Sequence, residues 1–120
     1  MRYFILFLSF SAMAVEIDPS VTTSKTLTCS MPTQYTDNTP LNQSDITEIR
    51  FYTSTNQTDW SLMGGGSECR YTVDTSALID GSTTYYMARA VAGLESANSN
   101  IEVITAVIPK PPMPPILGWE

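Results

Sequence analysis

Polar and apolar side chains alternate through Thr26-Leu27-Thr28-Cys29-Ser30-Met31, and the run stops at Pro32. A period of two sends Leu27, Cys29 and Met31 to one face of a strand. Residues 46–53 repeat the pattern, with Ile49, Phe51 and Thr53 on one side and Arg50 and Tyr52 on the other. A shorter run over 60–63 is closed by Gly64-Gly65-Gly66, whose freedom at positive φ suits a turn. Cys69, Tyr71 and Val73 alternate against Arg70 and Thr72, and residues 83–92 and 101–108 supply the last two strands. Threonine, tyrosine, valine and isoleucine fill these runs, Gly, Pro, Asn and Asp break them, and nowhere is there a helical stripe. Six or seven short strands at this spacing predict an all-β fold, an antiparallel β-sandwich.

The two ends are different material. Met1-Arg2 is a positive start, residues 3–10 are an almost unbroken apolar run, and Ala12-Met13-Ala14 puts small residues where signal peptidase accommodates them. Residues 1–14 are therefore expected to be a signal peptide, cleaved after Ala14, leaving an exported chain, periplasmic or secreted, that begins at Val15. The alternative is an uncleaved anchor, but about 12 apolar residues rise only about 18 Å as a helix against a hydrocarbon core of ~30 Å. No cysteine lies near Ala14 to carry a lipid, and no transmembrane segment is expected in the mature chain. At the far end, residues 109–115 hold five prolines, which impose extended polyproline geometry and forbid a strand ladder. Ile116, Leu117 and Trp119 follow this semi-rigid spacer. The tail, 109–120, either docks on a partner, folds back over the domain formed by 15–108, or is disordered.

A chain of 120 residues allows one domain. Its 12 acidic and 6 basic side chains give a net charge of −6, and loss of Arg2 with the leader makes it more negative still. Such a chain has no basic face with which to displace counterions from nucleic acid or to meet acidic lipid. Absence of histidine removes the commonest general base, the Ser-His and Cys-His nucleophile pairs, and the commonest zinc ligand. Two isolated cysteines complete no usual zinc set, and no cofactor is expected. Asp37, Asn38, Asn42 and Asp45 offer oxygens to calcium but match no compact loop, and turn formation accounts for them as well. Asn42-Gln43-Ser44 and Asn56-Gln57-Thr58 are glycosylation sequons, which matter only in a eukaryotic secretory pathway. Gly64-Gly65-Gly66 is followed by no Lys-Ser or Lys-Thr and opens no helix, so it is not a phosphate loop. Twelve carboxylates leave glycoside hydrolysis open by count, yet so short a chain has no visible insertion to build a pocket. In an oxidising compartment Cys29 and Cys69, the only two cysteines, are free to pair across about forty residues, a loop whose closure is worth roughly 4 kcal/mol. The alternative is two buried free thiols.

Leu27-Thr28-Cys29-Ser30-Met31-Pro32-Thr33, then Asp37-Asn38-Thr39-Pro40-Leu41 and Ile46-Thr47-Glu48-Ile49-Arg50-Phe51-Tyr52, resemble the second and third strands of fibronectin type III domains, above all those of bacterial exported and phage proteins. Tyr71-Thr72-Val73, Leu78, Gly81, Thr83-Thr84-Tyr85-Tyr86, Ala90-Val91, Glu95-Ser96 and Ser99-Asn100 resemble the closing half, so the resemblance covers nearly the whole mature chain. It implies an immunoglobulin-like sandwich of about seven strands. Cys29 stands where the family places a core tryptophan, and the resemblance makes the strands of Cys29 and Cys69 neighbours, so that a disulfide replaces a packing anchor. Spacing around Tyr85-Tyr86 departs from the family by about one residue, which leaves two candidates for its corner tyrosine. Alternation separates them: an inward Tyr85 takes Arg89 inward with it, whereas an inward Tyr86 takes Ala88 and Ala90, and burying an unpaired guanidinium is the costlier choice.

That parity turns Tyr85, Met87 and Arg89 outward beside Arg50 and Tyr52. Exposed tyrosine and arginine recur in interface hot spots, and flat aromatic faces also serve sugar rings; equally, such side chains often just cover a solvated sheet. Trp60 divides the same way, between anchoring its short strand and meeting a ligand. The expected function is a non-catalytic exported module that attaches to a protein or glycan partner through this face or through Ile116, Leu117 and Trp119. The alternative is a small carboxylate- or metal-dependent enzyme or effector on the same scaffold.

Overall fold

The computed structural model of the chain describes residues 14–96 and 98–120. The expected signal peptide, 1–14, lies outside them except for Ala14. Eight strands follow in order: β1 (Ala14–Ile17), β2 (Ser24–Thr28), β3 (Glu48–Ser54), β4 (Ser61–Gly66), β5 (Arg70–Asp74), β6 (Thr83–Ala92), the two-residue β7 (Leu94–Glu95) and β8 (Glu102–Ala106). One sheet runs β1-β8-β6-β3-β4, with β7 hairpinned onto β6, and β2-β5 forms the second. All pairings are antiparallel except β1 with β8, which is parallel. Sequence alternation missed β1 altogether, because four residues beside an apolar leader are too few to carry a period.

The core lies between the sheets and has two lobes. Leu41, Ile49, Phe51, Ala88, Ala90 and Ala92 fill one, with Leu27, Cys29, Met31, Cys69 and Tyr71 packed against them. Ile17, Val73, Tyr86 and Ile104 fill the other, and Leu27, Met63 and Tyr71 border both. Pairing of Phe51 with Ala88 and of Ile49 with Ala90 sets large against small across the inner face. Phe51 also stacks on Tyr71 across the sandwich, ring centroids 5.5 Å apart. Tyr86 is buried, as parity requires, and Tyr85 lies half-buried on the other face.

Gly64-Gly65-Gly66 is a strand and not the expected turn. None of the three has positive φ; that conformation falls to Gly81 and Gly93. Close approach is the reason for two of them. A Cβ on Gly65 would stand 2.5 Å from the carbonyl oxygen of Ile49, and one on Gly64 would stand 3.0 Å from the Tyr71 ring. The turn before β4 is built instead by polar side chains. Ser54 Oγ accepts from the backbone N–H groups of Asn56 and Gln57, Asn56 Oδ1 accepts from those of Thr58 and Asp59, and Trp60 Nε1 donates to the Gln57 carbonyl at 3.2 Å. Trp60 thereby braces the turn that leads into β4. Asp37 and Asn38 sit in a comparable turn, where the Asp37 carboxylate accepts from the backbone N–H and hydroxyl of Thr39. That hydroxyl bond holds its carboxyl below the ordinary value.

Candidate functional site

Cys29 and Cys69 stand just past the end of β2 and just before β5, with Cα atoms 5.0 Å apart and joined by a disulfide. The backbone N–H of Cys29 donates to the Cys69 carbonyl at 2.9 Å, so the bridge continues the β2-β5 ladder by one rung. Both cysteines pack on the first core lobe. A bridge of this kind suits an oxidising compartment.

On the outer face of the larger sheet, strand register sets Arg50 opposite Arg89 and Tyr52 opposite Met87. Two guanidiniums side by side repel unless an anion lies between them, and Glu95 supplies it. A tight turn at Gly93 brings β7 back along β6 and pairs Glu95 with Val91, on the same face as Arg89. The Tyr52 hydroxyl donates to Glu95 Oε1 at 2.6 Å, Arg89 Nη1 lies 3.2 Å from the same oxygen, and Arg50 Nη1 lies 3.4 Å from Oε2. Arg50 Nε also reaches Glu48 at 3.4 Å, Arg89 Nε donates to Asn98 Oδ1 at 2.8 Å, and the Arg89 guanidinium lies 5.1 Å from the Tyr52 ring centroid. The Tyr52 hydrogen bond, joined by Arg89 and Arg50, holds the Glu95 carboxyl below its ordinary value despite partial burial. Burial raises the Tyr52 phenol, and its bond to Glu95 adds to the rise. The carboxylate of Glu48 raises Arg50.

Arg50, Tyr52 and Arg89 are therefore brought together as expected, but around a carboxylate that sequence reasoning did not single out. Met87 is a correction. It points to the outer face yet is only 3% exposed. Tyr52 stands across from it on β3. On the other flank, Ser99 bonds to Ala88 through both its backbone N–H and its hydroxyl, so the chain itself encloses the position. Tyr85 is half-buried and takes no part in the Glu95 network.

The tail is placed differently. Ile108 N–H donates to Asp80 at 2.9 Å, and Lys110 Nζ lies 3.8 Å from the same carboxylate. Beyond Lys110 no hydrogen bond or ion pair joins the tail to the described sandwich. Ile116, Leu117 and Trp119 are each at least 92% exposed, so the tail does not fold back over the domain. Among the described residues no group of three or more cysteine or carboxylate side chains is placed to hold a metal ion, and no helix is long and apolar enough to cross a membrane.

No family model and no curated protein matches this sequence. Solved structures do match its shape. A Fn3-like protein from Clostridium thermocellum superposes with a TM-score of 0.56 at 17% identity, covering 91% of this chain and 98% of its own. A fibronectin type III domain derived from the human KIAA0970 protein gives 0.53 at 18% identity, over 81% of this chain and 75% of its own. The sixth fibronectin type III domain of human fibronectin type III domain containing protein 3 gives 0.50 at 17% identity, over 89% and 98%. The fold is that of a fibronectin type III domain.

Proposed function

We propose that this chain is an exported, non-catalytic sandwich module that attaches to a partner protein through its C-terminal tail. The observation that carries the reading is the contrast in occupancy between its two candidate surfaces. Arg50, Tyr52 and Arg89 are engaged with Glu95, whereas Ile116, Leu117 and Trp119 touch nothing of their own domain. Three such side chains bury several hundred Å² when they dock, which at about 25 cal/mol per Å² is several kcal/mol before association costs. The proline spacer lowers those costs, since an already extended segment loses less freedom on binding. Export is supported by the pattern of residues 1–14 and by a disulfide that suits an oxidising compartment.

Site-specific photocrosslinking in the exporting cell tests the proposal. A photoreactive amino acid in place of Trp119 is expected to give a discrete adduct with a polypeptide, and the same group in place of Tyr85 to give none. Adducts from position 85 alone would transfer the role to the sheet face.

A further inference from the structure

The expected cleavage site and the first strand of the sandwich share the same residues. A leader removed after Ala14 is cut at the Ala14–Val15 bond, and β1 runs from Ala14 to Ile17. Its partner is β8, in parallel, with Ala14 opposite Val103 and Val15 opposite Ile104. Val107 N–H donates to the Ile17 carbonyl at 2.7 Å. Bonding orientation along a strand repeats every second residue, so Val15 turns its N–H and carbonyl to β8 as Ile17 does. The N–H of the bond to be cut therefore faces the Val103 carbonyl, inside the ladder. Ile17 fixes the strand further, since it is buried in the second core lobe with Val73, Tyr86 and Ile104.

Proteases cut folded chains through locally opened states. Opening here means lifting β1 off β8 and Ile17 out of the core. Topology decides when that obstacle arises. β1 is the first strand and β8 the last, and β2 lies in the other sheet, so the partner of Ala14–Ile17 is missing until residues 102–106 arrive. A chain exported from its N-terminus thus presents the bond unpaired until its final strand is across. The cut also suits the fold that follows it. It removes Ala14, whose side chain is exposed, and leaves Val15 and Ile17, the two residues of β1 that turn to β8. An ammonium on Val15 keeps a donor towards the Val103 carbonyl, now strengthened by charge.

We propose that docking of β8 on β1 closes the Ala14–Val15 bond to hydrolysis, so that the leader is removed before the last strand folds. The reaction is peptide hydrolysis by the exporting cell's signal peptidase: the amide C–N bond breaks, water supplies oxygen to the Ala14 carbonyl carbon and a proton to the Val15 nitrogen, and a carboxylate and an ammonium result. The proposal rests on the export reading and adds to it the order of events.

Incubation of the full-length precursor with signal peptidase in detergent micelles tests it, read by mass as the chain that begins at Val15. The folded, disulfide-bonded precursor is expected to be cut at least about tenfold more slowly than a reduced precursor unfolded by Phe51→Ala with Tyr86→Ala. Thr105→Pro assigns the effect to β1. Ala106 N–H donates to Ser82, whereas Val107 N–H, and by alternation Thr105 N–H, turn to β1, so this proline takes a donor from the β1 ladder alone. The variant, with a Tm above the assay temperature, should be cut at least about tenfold faster than the folded wild type. Should it not fold, Ile17→Ala, which loosens β1 through its core contact, takes its place with the same expectation. Equal rates for the folded wild type and the unfolded chain overturn the proposal and leave export standing. A folded β1 variant cut as slowly as the wild type also overturns it. An unfolded chain left uncut, or cut at another bond, overturns the expected cleavage site and the proposal together.

Discussion

The outer face of the larger sheet and the C-terminal tail both display large amphipathic or apolar side chains of the kind that interfaces favour, but only one of them has those side chains free. On the sheet, Glu95 accepts from Tyr52 and pairs with both Arg50 and Arg89, and Arg89 lies over the Tyr52 ring. On the tail, Ile116, Leu117 and Trp119 have neither polar partners nor cover. A guanidinium held in charge-assisted bonds must give them up before it serves a new partner, and that loss offsets the gain. An exposed indole at the end of a stiff spacer has no such bonds to give up and loses less freedom on docking. Residue type nominates a surface; prior engagement decides whether it is available.

The contrast assumes a sandwich that stands without the tail, and the largest effects test that assumption. Phe51→Ala and Tyr86→Ala are expected to destabilise by about 3 to 5 kcal/mol each, measured by urea unfolding, because both side chains are almost wholly buried. Loss of the bridge comes next. Its closed loop spans a separation of 40 residues, so Cys29→Ala with Cys69→Ala should cost about 2 to 5 kcal/mol. Intact-mass analysis after alkylation without reductant should find no labelled cysteine in the wild type.

The sheet cluster predicts a smaller effect with a distinctive pH dependence. Glu95→Gln should cost about 1 to 3 kcal/mol at neutral pH by weakening the bond from Tyr52 and removing the charge between two arginines. Because the native state holds this carboxyl below its ordinary value, its contribution is fully present above about pH 4.5 and is lost as pH falls through the lowered native value. Urea midpoints of variant and wild type should therefore converge below that pH. A gap that persists in acid would mean that the carboxylate charge is not what the cluster uses. Tyr85→Ala, outside the network and on the outer face, should cost much less than Tyr86→Ala, about 1 kcal/mol. If it matches Tyr86→Ala, the inward parity of β6 is misassigned.

Sequence alone carried the sandwich far, because alternation is a direct record of which side chains face in. Ile49 and Phe51, Tyr86 with Ala88 and Ala90, and the two cysteines all lie where a period of two puts them. What it missed depends on contacts between strands. Glycine at 64–66 reads as a turn until β3 and Tyr71 are seen to crowd two of the three positions. Met87 has outward parity, but enclosure by Tyr52 and the chain near Ser99 is a matter of neighbours and not of period. Glu95 left one usable signal: a tight turn at Gly93 pairs it with Val91, on the parity of Arg89, and that pairing alone would have put a carboxylate among the arginines.

The smallest expected effect on stability bears most directly on the central claim that the tail is an attachment device and not part of the fold. Thermal unfolding of the chain truncated after Ile108 should give a Tm within about 2 °C of the full chain, since only the exposed Lys110–Asp80 pair is lost from the domain, while partner recovery disappears. A Tm lower by about 5 °C or more, with partner recovery unchanged, would contradict the account and make the tail a structural element of the sandwich.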